Sequence, residues 1–374
     1  MINNIWLDGI MGVVVGDALG CPVQFVDRDE LKTGPVEDME GYGTYNMPEG
    51  TWTDDSSMTL ALLASLNEKG AIDLEDIMKR FAKWLVDDEY TPFGQSFDIG
   101  GGTMDAITRY LKDRDVTTCG GTTERDNGNG ALMRILPVCL FAYMKDKSDN
   151  EAIKNIHEVV GLTHNHLRSK IACGLYYFCM CSVLDNSDSL IERLQKGLDK
   201  GFDYYEQDIR NRVELAHYGR LRDLKDFSTK TEDDIKSSGY VVDTLEAAVW
   251  SLTTTESFRE CELKAVNLGD DTDTIAAIAG GLAGLFYGYD EIPEDWLKVI
   301  KRREWIEEIC QKAAKRFDSS KNFSILTLMN SKGEKIVSSE SKEFIMEKKA
   351  EYDAQGIECS ISELKIPFAA YYDC

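Results

Sequence analysis

The stretch LGDDTDTIAAIAGGLAGLFY, residues 268–287, decides the expected fold. From Thr274 onward it is apolar on every side and rich in glycine and alanine, which is typical of a central helix packed closely all round. Just before this helix, three acids and two hydroxyls occupy the five positions Asp270-Asp271-Thr272-Asp273-Thr274. One acid is enough to cap a helix, so this crowding indicates more than a cap.

A second cluster of acids and hydroxyls lies much earlier, at Thr53-Asp54-Asp55-Ser56. It also precedes an apolar helical run, so each cluster is predicted to lie at a helix N-terminus. Taken alone, such a cluster is more often an ordinary acidic cap than a ligand set. If the two meet in the fold, however, each carboxylate pair at roughly 4 Å repels by about 4 kcal/mol at an effective dielectric constant near 20. A cation is then expected between them, and oxygen ligands favour Mg²⁺ or Mn²⁺ over Zn²⁺.

The composition indicates a soluble globular protein with one large or two ordinary domains: 374 residues, 43% hydrophobic and 29% charged. A net charge of −24 and a pI near 4.6 argue against nonspecific binding to nucleic acid or to an anionic membrane. The ten cysteines form no CxxC motif, MINNIWLDGIMG lacks a basic signal-peptide region, and no apolar run is expected to reach transmembrane length. We therefore expect reduced, mostly buried thiols and a cytoplasmic protein.

Most of the chain has helical periodicity. Helices are predicted at 4–19, 56–69, 73–86, 102–112, 130–145, 149–160, 166–184, 188–200, 243–253, 257–266, 274–287 and 303–316. Residues 202–240 are polar and irregular, and they are predicted to form a long excursion between helices, over the site or as a linker.

The pattern changes after Phe317. A β-hairpin is predicted around Ser331-Lys332-Gly333, followed by a helix ending at Gly356 and a strand in IECSISEL. The sequence thus predicts an all-α domain over residues 1–317 and a small α+β appendage over residues 318–374.

Five short motifs follow one another along the chain. They are Gly16-Asp17-Ala18-Leu19-Gly20, Thr53-Asp54-Asp55, Asp126-Asn127-Gly128-Asn129-Gly130-Ala131-Leu132-Met133-Arg134, Thr163-His164 and Gly269-Asp270-Asp271-Thr272-Asp273-Thr274. In this order they resemble the ADP-ribosylglycohydrolase family, over about residues 5–315. The resemblance implies a compact all-α fold of orthogonal helices around a central metal cleft.

The resemblance also implies two Mg²⁺ or Mn²⁺ ions held by both clusters. The implied ligands are Thr53, Asp54, Asp55, Asp271, Asp273 and Thr274. Four carboxylates and two hydroxyls, with waters and ligand oxygens, are enough for two octahedral shells. Asp55 and Asp271 are the predicted catalytic residues, with Asp55 foremost in orienting the attacking water. Asp270 falls outside the pattern and is interpreted as a cap or a supporting acid.

The segment GNGALMR, residues 128–134, is similar to a substrate-binding motif of the family. It places two glycines before a helix that is predicted to begin near Ala131. Glycine permits close backbone approach and helix N–H groups bind diphosphates, so Asn129 and Gly130 are expected to contact substrate. More commonly, such a sequence forms only a turn that initiates a helix. Arg134, one turn into that helix, is interpreted as structural.

Further polar residues are assigned from the same resemblance. Asp98 matches a family acid near the ribose, and His164 matches a substrate-contacting histidine, although THNH before a helix is as readily a cap or core. Gln24 is a predicted substrate contact that stands where many members carry glutamate, and an amide cannot accept a proton as a base. Asp17 is interpreted as a buried hydrogen-bonding group between packed helices.

The resemblance implies a hydrolase that cleaves the C1″ glycosidic bond of ADP-ribose on a protein side chain or a small molecule. The acceptor is open among arginine, serine, a nucleic-acid base and a free metabolite, and the oligomeric state is open as well. A second interpretation is a catalytically weak ADP-ribose-binding protein, because Gln24 replaces the usual acid. A metal phosphohydrolase is disfavoured, because its Asp-x-Asp motif follows a buried strand and no strand is predicted before Asp271.

Overall fold

The computed structural model describes residues 4–185, 188–317, 322–330, 335–339, 342–355, 357 and 359–367. The α-helices before residue 318 are α1 (Ile5–Gly20), α2 (Arg28–Thr33), α3 (Asp54–Lys69), α4 (Leu74–Asp87), α5 (Gly101–Asp113), α6 (Leu136–Met144), α7 (Asp149–Val160), α8 (Leu167–Asp185), α9 (Leu190–Glu206), α10 (Arg212–Leu215), α11 (Leu224–Phe227), α12 (Val241–Thr253), α13 (Phe258–Val266), α14 (Thr272–Tyr287), α15 (Glu294–Val299) and α16 (Arg303–Phe317). The expected all-α architecture is confirmed. The chain divides into two compact units, Met1–Ala313 and Ala314–Cys374, and the predicted domain boundary after residue 317 stays a prediction.

The helices follow from capping and periodicity. In α4, the side chain of Asp73 accepts the backbone N–H of Asp76 at 3.0 Å and closes the first turn. Ile77, Phe81 and Trp84, spaced by four and three residues, are all fully buried, so one apolar stripe packs this helix onto the core.

The core of the first unit is the crossing of α1 and α14, two helices from opposite ends of that unit. A Cβ atom added to Gly12 would lie 2.0 Å from the carbonyl oxygen of Gly280, and one added to Gly280 would lie 2.3 Å from the carbonyl oxygen of Gly12. Only hydrogen fits between the two backbones at this point. Near the end of α1, a Cβ atom on Gly20 would lie 2.4 Å from the Cα atom of Asp273. The glycines therefore bring α1 against the acidic start of α14.

The expectation about membrane-spanning length was wrong. Residues Ile5–Val23 are long and apolar enough to cross a membrane, with 19 residues and a mean hydropathy of 1.4. The same segment is 89% buried inside the protein, as the core helix of a globular protein would be, and one such helix is weak evidence for a membrane span. It is apolar because α1 is covered by other helices.

Two further predictions were wrong, one about the start of a helix and one about an irregular segment. The helix predicted from residue 130 begins at Leu136, because residues 130–134 form successive turns and Pro137 favours the first turn of a helix. The supposedly irregular residues 202–240 contain the end of α9, then α10, α11 and short 3₁₀ turns. Some of their apolar side chains, among them Tyr218 and Phe227, are buried, whereas Ile209 and Val213 are exposed. The segment therefore has no regular apolar spacing from which its helices could be predicted.

The second unit contains a three-stranded antiparallel sheet and one helix. The elements are β1 (Asn322–Asn330), β2 (Lys335–Ser339), α17 (Lys342–Ala354) and β3 (Cys359–Pro367), with the strand order β2-β1-β3. Leu328, in the central strand, and Ile345, in the helix, are fully buried. The predicted turn at Ser331-Lys332-Gly333 and the predicted helix end at Gly356 lie outside the described residues.

Glu262, on α13, is a buried acid at the helix crossing. It is fully buried, and both of its carboxylate oxygens lack a hydrogen-bond partner. One of them, Oε2, lies 2.5 Å from where a Cβ atom on Gly16 would be. Burial raises the pKa of Glu262 well above its usual value. The folded protein thus keeps a proton that the unfolded chain loses above about pH 4.3, so this group lowers stability increasingly as the pH rises.

Replacing Glu262 by glutamine is expected to raise the free energy of unfolding, and more so at pH 8 than at pH 5, because the amide does not titrate. Urea unfolding of both proteins across this pH range measures the difference. Glu260→Gln, an exposed position on the same helix, is the matched control and should show no such trend. A Glu262→Gln effect that is equal at both pH values would contradict the prediction.

Candidate active site

The structure brings the two acid–hydroxyl clusters together. Thr53 is the N-cap of α3 and Asp271 is the N-cap of α14, so both clusters lie at helix N-termini as predicted. The Thr53 Oγ1 atom lies 3.4 Å from Asp273 Oδ2, and Thr274 Oγ1 lies 3.3 Å from Asp55 Oδ2. The pair of contacts makes one buried group of side chains from segments that are far apart in sequence.

Asp17, on α1, holds the first cluster in place. Its carboxylate accepts hydrogen bonds from the backbone N–H groups of Thr53, at 2.9 and 3.0 Å, and of Ser56, at 2.9 Å. The Ser56 hydroxyl donates a further bond at 2.5 Å. Burial raises the pKa of Asp17 to about 7, although these hydrogen bonds lower it. Asp17 thus fixes the start of α3 against α1, in keeping with the structural interpretation.

The electrostatic environment of the four cluster acids is unfavourable to their own charges. Asp54, Asp55 and Asp273 are each almost fully buried, and burial, followed by the charges of neighbouring acids, raises their pKa values well above the usual range. Burial also raises the pKa of Asp271, while hydrogen bonds from Asn129 and Gln24 lower it. Such a group of carboxylates is stable as anions only with a positive charge among them.

The donor set fits a divalent cation. Asp55 Oδ1 is buried and has no hydrogen-bond partner. In the described part of the chain, no lysine or arginine makes an ion pair or a hydrogen bond with Asp54, Asp55, Asp271 or Asp273. Carboxylates and hydroxyls alone, without thiol or imidazole, are the ligands of Mg²⁺ and Mn²⁺. The residues present would therefore suit the hard cations that the sequence implies; the number and identity of the ions stay predictions.

Two side-chain amides hold the carboxylate of Asp271. The Asn129 Nδ2 group donates to Oδ2 at 2.5 Å and also to the Thr244 hydroxyl at 3.0 Å. On the other side, the Gln24 Nε2 group donates to Oδ1 at 3.3 Å. Gln24 and Asn129 thus contact a cluster acid directly, which sequence reasoning missed, and their predicted substrate contacts stay predictions. The Asn129 backbone N–H is bonded to Gly239 at 3.0 Å, so it is not free for a phosphate.

His164 lies against the glycines of the GNG segment. A Cβ atom on Gly130 would be 2.9 Å from His164 Cε1, and one on Gly102 would be 3.1 Å from Nε2, so glycine is needed beside this ring. The other nitrogen, Nδ1, is 2.8 Å from the Thr163 hydroxyl. Burial and the charge of Arg134 lower the pKa of His164 to about 3, which keeps the ring neutral. Its Nε2 atom lies beside the backbone of Gly102, Gly128 and Gly130.

Arg134 is fully buried and supports the histidine segment. Its guanidinium donates to the Gly130 carbonyl oxygen and to the Thr163 hydroxyl, the latter at 2.7 Å, and it stacks 4.7 Å from the ring centroid of Phe81. These contacts agree with the structural interpretation, although the residue precedes α6 instead of lying within it.

Asp98 and Gln24 are joined by a residue that no sequence motif contains. The Tyr45 hydroxyl lies 2.5 Å from Gln24 Oε1 and 2.5 Å from Asp98 Oδ1. Asp98 adopts a left-handed backbone, with φ of 54°, which is uncommon outside glycine and occurs often at functional sites. Burial and the neighbouring carboxylate of Asp98 raise the pKa of Tyr45, so the phenol keeps its proton.

A separate group of possible metal ligands comprises Glu124, His166 and Glu214, whose ligand atoms lie within 4.8 Å of one another. Arg168 already pairs with both acids, at 2.9 Å to Glu124 and 2.8 Å to Glu214. The guanidinium provides the positive charge that a cation would bring, so this group is a salt-bridge network at the surface.

Several known proteins similar to this chain are named as hydrolases of ADP-ribose linkages. A model of the ADP-ribosylglycohydrolase family matches residues 6–322. The chain is 33% identical over 302 residues to ADP-ribosylarginine hydrolase Tri1 of Serratia proteamaculans, covering 81% of this chain and 76% of that protein. It is 33% identical over 301 residues to the ADP-ribosyl-[dinitrogen reductase] glycohydrolase of Rhodospirillum rubrum, covering 80% and 91% respectively. A solved structure described as an ADP-ribosylglycohydrolase-related protein complex has a TM-score of 0.68 at 28% identity, covering 84% of this chain and 98% of that one.

Proposed function

This chain belongs to the ADP-ribosylglycohydrolase family, and we propose on that premise that it is a metal-dependent hydrolase of the C1″ glycosidic bond of ADP-ribose. The observation that carries the metal dependence is the meeting of Asp54, Asp55, Asp271 and Asp273 in a buried group without a lysine or arginine partner among the described residues. Two Mg²⁺ or Mn²⁺ ions held by these acids, with Thr53 and Thr274, would neutralise them.

The chain's own residues supply positioning and proton transfer. When bound, the cations supply positive charge for the ribose hydroxyls and for a water molecule. Asp55, whose Oδ1 atom is unpartnered, orients the attacking water and accepts its proton as the water oxygen bonds to C1″. The bond from C1″ to the acceptor breaks, and this proton passes to the leaving atom. Asp98 contacts the ribose, while His164 and Gly130 contact the rest of the nucleotide.

We propose arginine as the acceptor. The Serratia relative is named an ADP-ribosylarginine hydrolase, and the match covers most of both chains. A cationic guanidinium is also compatible with the net charge of −24 of the chain, which would attract it more than a neutral hydroxyl. The proposed substrate is therefore an ADP-ribosylated protein. All nine cysteines of the described residues are free, which suits the cytoplasm as the proposed location.

A panel of ADP-ribose conjugates tests the function. With Mg²⁺ or Mn²⁺ present, we expect release of ADP-ribose from arginine-linked protein at about 1 s⁻¹ or faster, within the usual range for enzymes. Serine-linked protein and ADP-ribosylated nucleic acid should react much more slowly, and EDTA should abolish the reaction. Chromatography of released ADP-ribose measures each rate.

The panel also separates the enzyme from the binding-protein alternative. Gln24 replaces a usual acid, so a protein that binds ADP-ribose by calorimetry but turns over every linkage below about 10⁻³ s⁻¹, far under typical turnover, is a binder. Turnover that persists in EDTA, or a clear preference for serine-linked substrate, would contradict the metal dependence or the acceptor respectively.

A further inference from the structure

Tyr45 lies on the loop between α2 and α3 and reaches into the candidate site. Its hydroxyl is 2.5 Å from Gln24 Oε1 and 2.5 Å from Asp98 Oδ1. A phenol carries one proton, so it donates to one of these oxygens at a time. The hydroxyl therefore joins the residue that contacts Asp271 to the acid on the proposed ribose side of the cleft.

The contact at Gln24 decides which end of the amide faces the cluster. A glutamine amide can exchange its oxygen and nitrogen by rotating about its last torsion, which has only a shallow preference. While Tyr45 donates to Oε1, the Nε2 group points at Asp271 Oδ1, 3.3 Å away. Without the hydroxyl, the buried Oε1 atom loses its donor, and only the long 3.3 Å bond to Asp271 Oδ1 still holds the amide in this orientation.

The loop that carries Tyr45 also contacts the backbone of the segment that contains Pro22 and Gln24. The Thr44 hydroxyl donates to the Gln24 carbonyl oxygen at 2.7 Å. Gly43 adopts a φ of +49°, and a Cβ atom there would lie 1.8 Å from the Pro22 carbonyl oxygen. The Tyr45 ring packs 5.2 Å from the ring of Phe97. Both backbone and ring therefore fix the hydroxyl in place without help from its hydrogen bonds.

From these contacts we propose that Tyr45 is a positioning residue that orients the carboxylate of Asp271 for cation binding by holding the Gln24 amide. Asn129 holds the other oxygen of the same carboxylate. Because both carboxylate oxygens of Asp271 accept a hydrogen bond from an amide, the carboxylate keeps one orientation, and its remaining lone pairs point in a fixed direction. Partners of this kind tune metal affinity about 10–100-fold in known metal sites. The inference rests on the proposed metal site.

The test is calorimetric titration of the full chain with Mn²⁺ alone, without substrate. Tyr45→Phe removes only the hydroxyl and keeps the ring on Phe97, and it is expected to weaken Mn²⁺ binding about 10-fold. Tyr42→Phe, on the same loop with a side chain 63% exposed, is the matched control and should bind like the wild type. Thermal unfolding in EDTA checks that each variant is folded.

A double-mutant cycle separates positioning from a general structural role. Because Tyr45 acts through Gln24, Tyr45→Phe should cause no further loss of Mn²⁺ affinity in a Gln24→Ala background. Wild-type affinity in Tyr45→Phe, or the same 10-fold loss in both backgrounds, would overturn the positioning role alone. A wild-type protein that binds no Mn²⁺ would overturn the proposed metal site and this inference with it.

Discussion

Replacing Asp55 by asparagine is expected to lower turnover by about 10²–10⁴-fold, the usual effect of losing a positioned base, while the protein stays folded. Asn can still accept a hydrogen bond, but it carries no charge for a cation and cannot take a proton from water. In EDTA the variant should be more stable than the wild type. Burial and neighbouring acids raise the pKa of Asp55, so ionisable Asp55 lowers stability increasingly above its unfolded pKa of about 3.9, and this penalty is absent in the variant.

The measurements are turnover on arginine-linked ADP-ribose, Mn²⁺ affinity, and thermal unfolding in EDTA between pH 5 and pH 8. Asp271→Asn should behave in the same way, because it removes a charge from the same group. Asp270→Asn is the matched control: this neighbouring acid is exposed and lies outside the buried group. Near-wild-type turnover of Asp55→Asn at limiting metal would refute the role of the cluster.

Replacing Gly12 by valine is expected to destabilise the fold by at least about 3 kcal/mol, at the upper end of the range for overpacked sites. The added Cβ atom would lie 2.0 Å from the Gly280 carbonyl oxygen, and this neighbour is backbone, which cannot rotate away. The helices α1 and α14 must then move apart. Because Asp273 lies at the start of α14 and Gly20 at the end of α1, the same movement should also separate the two clusters.

Chemical unfolding and Mn²⁺ titration of Gly12→Val measure both effects. The matched control is Gly219→Ala, where an added Cβ atom meets nothing within 4 Å, and its stability should change by less than about 0.5 kcal/mol. A Gly12→Val protein with wild-type stability would show that the α1–α14 crossing is not the core of the fold.

Most of the long helices and both acid clusters were predictable because they depend on local sequence, whereas the short helices α2, α10, α11 and α15 were not predicted. A window of a few residues is enough to recognise the apolar run after Thr274 and the helix caps at Thr53 and Asp271. The start of α6 was predicted too early because GNGALMR has the residues of a helix N-terminus. In the structure, hydrogen bonds to distant residues, such as that from the Asn129 N–H to Gly239, keep this segment in turns.

The supporting residues of the site were not predictable. Tyr45 belongs to no motif, and its loop is held by contacts with Pro22 and Gln24 that become visible only in three dimensions. Gln24 was predicted as a substrate contact, but its bond to Asp271 joins residues 247 positions apart. A single sequence does not reveal such pairings, because hydrophobic periodicity and helix propensity carry no information about which distant residues are in contact.

The α1–α14 crossing also sets the order of events on the ribosome. The helix α1 leaves the exit tunnel well before its partner α14 at Thr272–Tyr287, which is made some 250 residues later, after about 13–50 s at 5–20 residues per second. For that time the apolar segment Ile5–Val23 has no α14 to cover it. The nascent chain therefore carries a strongly apolar segment without its partner helix, and we expect it to depend on a chaperone during synthesis more than a protein whose core forms from adjacent helices.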